Sequence, residues 1–370
     1  MYTQLLILNS FVMEINALDF RNNKRLQSID LLKAFTIFLV IMGHVANQWG
    51  KESVYTILSD TLIYSFHMPL FLTLSGLFLY KTLERGWLHL LTVRSRQLLL
   101  PVLSFSCIVF LLYYTTPIDV TDGLSFTGYL FAGGDMWFLK YLFVILTICL
   151  LFKTLCRNTL VAAIVSSVLL VCVSRVGIVR LLPYVWFGHF IYQNRDWIAK
   201  HAKVICAVSF AIYLSLMPFW HLEYDFPRYK VFSTSGGFAF NGSDALIILY
   251  RFAVGMSGSL FFIALALWQE RKPWLVEFCN TKWGRALSMC GTMTLTIYCL
   301  QIYLLEDVAP HLPLPEMSDW ANVGAVIVLS FLEFALCGVV AWALSLNKVS
   351  AWLFHGQPAP FALRLPKRNS

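Results

Sequence analysis

The chain has 370 residues, of which 58% are hydrophobic, 16% aromatic and only 13% charged, and its formal net charge is +8. That composition excludes an ordinary water-soluble domain. The nine cysteines form no CxxC pair and fall mostly in apolar runs, which argues against a disulfide framework or a metal site.

Apolar runs lie near 29–49, 57–80, 97–115, 136–153, 158–174, 179–194, 202–219, 244–268, 287–305 and 321–346. Each approaches the ~20 residues that cross a bilayer as a helix. The expected fold is therefore all-α, a polytopic membrane protein with about ten transmembrane helices in one bundle. Residues 1–27 read as a cytoplasmic lead-in, 28–347 as the membrane domain and 348–370 as a basic cytoplasmic tail. The first run lies too far from Met1, and is too long, for a cleaved leader.

Lysine and arginine gather on one side of such a bundle. Arg21, Arg94, Arg96, Lys153, Arg157, Lys200, Lys203, Arg285, Lys348 and Arg368 fall there, whereas the opposite loops hold Lys51, Arg175, Arg180, Arg228 and Lys230. Positive-inside logic puts both termini in the cytoplasm. The net charge then follows from topology and anionic lipid, and needs no nucleic-acid partner.

Taken in chain order, the first run holds the most informative pair. Lys33 and His44 are eleven residues apart in SIDLLKAFTIFLVIMGHVANQW. Three helical turns put them on one face, with His44 ~16 Å further along. Titratable groups at membrane depth usually face a bundle interior or a wet cavity. His67 in FHMP, Trp137, Lys140, Arg251 and Gln301 all fall at the same level as His44, so five helices deliver polar groups to one layer. RSRQLLLP (94–101) puts Arg94 and Arg96 at the other mouth, where guanidinium forks suit phosphate. Glu333 sits mid-span in the last run, as a proton-relay group or as the partner of a buried cation. Each residue also has a plain structural role available: a satisfied core histidine, a snorkelling cation, or an ordinary positive-inside cluster.

The first run resembles the signature helix of the acyltransferase family 3 membrane proteins, in which a basic residue precedes a histidine by eleven positions. Lys33 and His44 match it, with lysine for the commoner arginine, as in fucose-4-O-acetylase-like and O-antigen O-acetyltransferase-like members. SFHMPLFLTLSGLF (65–78), DMWFLKYLF (135–143), LPYVWFGHFI (182–191) and CGTMTLTIYCLQ (290–301) resemble further segments of the family in the same order. Gln97 stands where a second arginine is common, Arg96 is displaced by one position, and Gln301 replaces a frequent histidine.

The resemblance implies transfer of an acyl group, usually acetyl, from cytosolic acyl-CoA to a hydroxyl of an extracytoplasmic glycan. Acetyl-CoA would be the donor substrate, with no bound cofactor or metal. His44 would be the general base, with Lys33 assisting. Arg94 and Arg96 would bind acyl-CoA, and His67, Trp137, Lys140 and Arg251 would line the acceptor side. The expected setting is the bacterial inner membrane, in polysaccharide biosynthesis. A secondary transporter or glycolipid flippase is the alternative, since intramembrane histidine and cations suit it equally.

Overall fold

A computed structural model describes residues 26–54, 61–115, 126–131, 136–173, 181–221, 231–233, 239–270, 272–304 and 318–357. The lead-in before Leu26, most of the 115–135 segment, the SGGF stretch and the tail beyond Gln357 lie outside the described residues.

The described chain is a helical assembly. Its α-helices of eight residues or more are α1 (Gln27–Trp49), α2 (His67–Gly76), α3 (Leu79–His89), α4 (Ser95–Thr115) and α5 (Trp137–Leu155). They continue with α6 (Thr159–Val173), α7 (Leu182–Gln193), α8 (Arg195–Leu216), α9 (Gly242–Gln269) and α10 (Pro273–Asn280). The last four are α11 (Lys282–Thr292), α12 (Thr294–Ile302), α13 (Asp319–Leu346) and α14 (Lys348–His355). One two-residue antiparallel ladder, Phe232–Ser233 with Ala239–Phe240, is the strand content of the described residues.

Among the described residues, six helical stretches are long and apolar enough to cross a membrane: α1, Leu79–Leu111, α5, Arg195–Phe219, α9 and α13. Helix length alone thus accounts for six crossings, where the sequence predicts about ten. In the described part of the 57–80 run, residues 61–80, the α-helix begins at His67, with Pro69 in its first turn, where a missing N–H is tolerated. The 287–305 run breaks at Met293 (φ −106°, ψ 17°) into α11 and α12. The 158–174 and 179–194 runs give helices of 15 and 12 residues.

Helix ends show how local chemistry starts these elements. Asn241, Thr281 and Asn347 side chains accept amide hydrogen bonds at the starts of α9, α11 and α14. The first turn of α1 is capped from far away in sequence. Glu270, at the end of α9, accepts from Gln27 N–H at 3.2 Å and Ser28 N–H at 2.8 Å.

α1 is the most enclosed of the long spans: 67% of its 18-residue apolar stretch is buried, against 17% for that of Arg195–Phe219. It packs against α11 and α13, and Ile37, Ile41, Val45 and Ala46 on it are sealed from the surface. Elsewhere the apolar surface faces outward, as at Leu160 and Ile164 of α6, Val204 and Val208 of α8, and Val328 and Leu332 of α13. An outer surface of this kind belongs in hydrocarbon.

Candidate functional site

α1 carries the two residues around which the interior is arranged. Lys33 and His44 point along one face, and each lines a separate cavity.

The Lys33 cavity, about 140 Å³, lies where α1, α2, α4, α5, the α11–α12 break and the segment after α14 converge. Its polar lining includes Lys33, Ser75, Arg94, Gln97, Thr296, His355 and Gln357. The Lys33 ammonium lies 3.9 Å from the buried Asp30 carboxylate and 4.5 Å from the centre of the Phe78 ring. Arg94 is held at all three nitrogens by neutral oxygens: Thr82 Oγ1 at 3.2 Å, Gln97 Oε1 at 3.0 Å and the Phe78 carbonyl at 3.1 Å. Among the described residues no carboxylate pairs with it. A guanidinium oriented by neutral oxygens, with a second cation on the same cavity, is an arrangement suited to an anion.

Backbone shapes this cavity too. Residues 291–296, where α11 breaks into α12, all line it. Irregular backbone at membrane depth is tolerated where it faces a cavity rather than lipid.

The His44 cavity, about 310 Å³, is lined by Val40, His44, Asn47, Gln48, Tyr64, His67, Met68, Trp137 and Tyr298. His67 is buried, and its Nδ1 donates to the Ile63 carbonyl at 2.9 Å, since a carbonyl only accepts. In the neutral ring that leaves the Nε2 lone pair available. Tyr64 packs on the same imidazole with ring centres 4.9 Å apart. Both imidazoles thus line one cavity.

Of the residues expected on the acceptor side, His67 and Trp137 therefore join His44, whereas Lys140 and Arg251 do not line its cavity. Lys140 Nζ donates to the Leu130 carbonyl at 3.4 Å. The Arg251 guanidinium lies 4.9 Å over the Trp220 ring. Of the pair expected to bind the donor, Arg94 lines the Lys33 cavity and Arg96 lines neither. Two residues further along the helix is a rotation of roughly 200°, which turns Arg96 away. Its Nε donates to the Gly356 carbonyl at 2.9 Å and ties down the turn after α14.

Sequence reading missed several lining residues. Asn47 and Gln48 are three and four positions after His44, so helical periodicity was signal enough to include them. His355 and Gln357 carry no such signal, because they fall in the segment expected to be a basic cytoplasmic tail.

A family model described as an acyltransferase domain, that of acyltransferase family 3, matches residues 26–342. The chain belongs to acyltransferase family 3. No curated protein and no solved structure matches it. With its long apolar helices, this family 3 chain is a membrane acyltransferase. The matched stretch contains the lining residues of both cavities except His355 and Gln357, which this acyltransferase adds from beyond residue 342.

Proposed function

We propose that this acyltransferase moves an acetyl group from cytosolic acetyl-CoA to a hydroxyl of a surface polysaccharide or its lipid-linked sugar precursor, in a bacterial inner membrane. The fucose-4-O-acetylase-like and O-antigen-O-acetyltransferase-like motifs of the sequence favour that acceptor class. The observation that carries the reading is the pair of cavities on one face of α1, one cationic and one holding two imidazoles.

In this reading the Lys33 end of α1 faces the cytoplasm. Lys33 and Arg94 meet the phosphates of the donor, and the pantetheine arm carries the thioester towards His44. Neutral His44 takes the proton of the acceptor hydroxyl. The oxygen attacks the thioester carbonyl, a C–O bond forms and the C–S bond breaks. The departing thiolate takes the proton from the imidazolium, leaving CoA as the thiol. His67 and Trp137 hold the acceptor, Trp137 offering an aromatic face to a sugar ring. The broken α11–α12 helix is the feature that suits the alternative, a transporter or flippase.

Purified protein should release CoA thiol from acetyl-CoA only when a glycan acceptor is present. His44→Ala should lower that rate by at least about 100-fold, the contribution of a positioned base, while the exposed Val349→Ala retains it. Unchanged turnover in His44→Ala would reject the assignment of the base. Glycolipid movement in liposomes without CoA release would favour the flippase.

A further inference from the structure

The two cavities are lined by successive stretches of α1, α2, α5 and α12 and share no lining residue. On α2 the lining passes from Met68 of the His44 cavity to Phe71 of the Lys33 cavity; on α12 it passes from Tyr298 to Thr296. On α5 it passes from Trp137 to Leu142, with Phe138 between and only 3% exposed. Three aromatic rings from three helices meet at this changeover, Phe71 from the lining of the Lys33 cavity, Tyr298 from that of the His44 cavity and Phe138 between them. Phe138 meets Phe71 edge-on, with ring centres 5.0 Å apart and an interplanar angle of 76°. It meets Tyr298 in the same manner at 5.6 Å and 65°. The Phe138 backbone N–H donates to the Tyr298 hydroxyl at 3.3 Å, which fixes the third ring against the second.

We infer that Phe71, Phe138 and Tyr298 form a dry partition that keeps the donor thioester on the Lys33 side, out of reach of water at His44, until an acceptor occupies the other cavity. This rests on the transferase reading above. The His44 cavity has two imidazoles, two carboxamides and two phenols in its lining and is large enough for several waters, which occupy ~30 Å³ each in the liquid. An imidazole that activates a sugar hydroxyl also activates water. A thioester exposed there without acceptor is hydrolysed: the water oxygen bonds to the carbonyl carbon, the C–S bond breaks, and acetate and CoA thiol leave. Excluding water is the general means by which enzymes suppress this side reaction. Edge-to-face rings suit the task, because each has few rotatable bonds and is held in place by the next.

The test compares CoA release with and without acceptor in detergent-purified protein, for wild type, Phe138→Ala, Phe138→Leu and Phe71→Ala. The wild type should release CoA only with acceptor. Phe138→Ala should raise acceptor-independent release at least about tenfold, part of the roughly 10²–10⁴ that a general base supplies. Phe138→Leu should fall between, and adding His44→Ala to either should return release to the background. A variant that merely loosens the fold lowers both reactions together, whereas a breached partition raises hydrolysis relative to transfer. If Phe138→Ala does not fold, Phe138→Leu and Phe71→Ala decide. Acceptor-independent release unchanged in every folded variant of an active wild type overturns the partition. A wild type that transfers nothing overturns the transferase reading instead.

Discussion

His355 shows how much one residue beyond the last long span contributes. Its Nε2 donates to the Ala341 carbonyl at 3.0 Å, and its Nδ1 lies 2.7 Å from the Thr296 hydroxyl. Thr296 also reaches the Phe354 carbonyl at 2.9 Å, so its single hydroxyl proton serves one of two acceptors. Burial pushes the imidazole down from 6.5 to about 4, although the Ala341 carbonyl opposes the shift. A depressed folded value means that the unfolded chain binds more protons between those two pH values, so stability falls as pH drops from 6.5 towards 4. Thermal unfolding at pH 7 and pH 5 should show a larger loss for wild type than for His355→Asn. Equal losses would mean that the ring is not held neutral in the fold.

Helix crossings are set by glycines with no slack. Gly76 of α2 and Gly188 of α7 face one another: a Cβ at Gly188 would strike the Thr73 carbonyl oxygen, and one at Gly76 the Val185 carbonyl oxygen. Small residues permit this close backbone approach between helices in lipid. Gly188→Ala should therefore cost about 1–3 kcal/mol through overpacking. At exposed Gly324 of α13 an added methyl meets nothing within 4 Å. Gly324→Ala should be neutral or stabilising by up to about 1 kcal/mol, the helix-propensity gain. Unfolding midpoints of the two variants in one detergent check the contrast, and a Gly188→Ala midpoint at or above wild type contradicts the crossing. The breaks between elements matter as much as the crossings. Without the interruption at Met293, residues 291–296 would continue one regular helix and would not open their backbone towards Lys33.

At the scale of the whole molecule, the orientation in the membrane decides which cavity meets which substrate. The excess of lysine and arginine predicts that both termini, and with them the Lys33 cavity, face the cytoplasm. A fluorescent protein fused after Ser370 should fluoresce, and alkaline phosphatase at the same position should be inactive. The reverse pattern would put the cationic cavity on the side that a cytosolic donor cannot reach. The apolar surfaces of α6, α8 and α13 need lipid or detergent, so their exposure predicts rapid aggregation on detergent removal.

Membrane residence, the helical class and the pairing of Lys33 with His44 were legible in the sequence, because each depends on local periodicity and composition. Hydropathy over twenty residues reports a span, and eleven residues report a shared helical face. His67 and Trp137 were legible for the same reason, since depth along a helix can be counted. Which cations reach a cavity was not, because rotation about each helix axis is decided by its neighbours. Arg94 and Arg96 differ by two positions, yet one lines the Lys33 cavity and the other binds the Gly356 carbonyl. The return of His355 and Gln357 to the interior and the meeting of the Phe71, Phe138 and Tyr298 rings join residues up to hundreds of positions apart. Only the packed tertiary structure decided those, because no local pattern encodes a contact between helices distant in the chain.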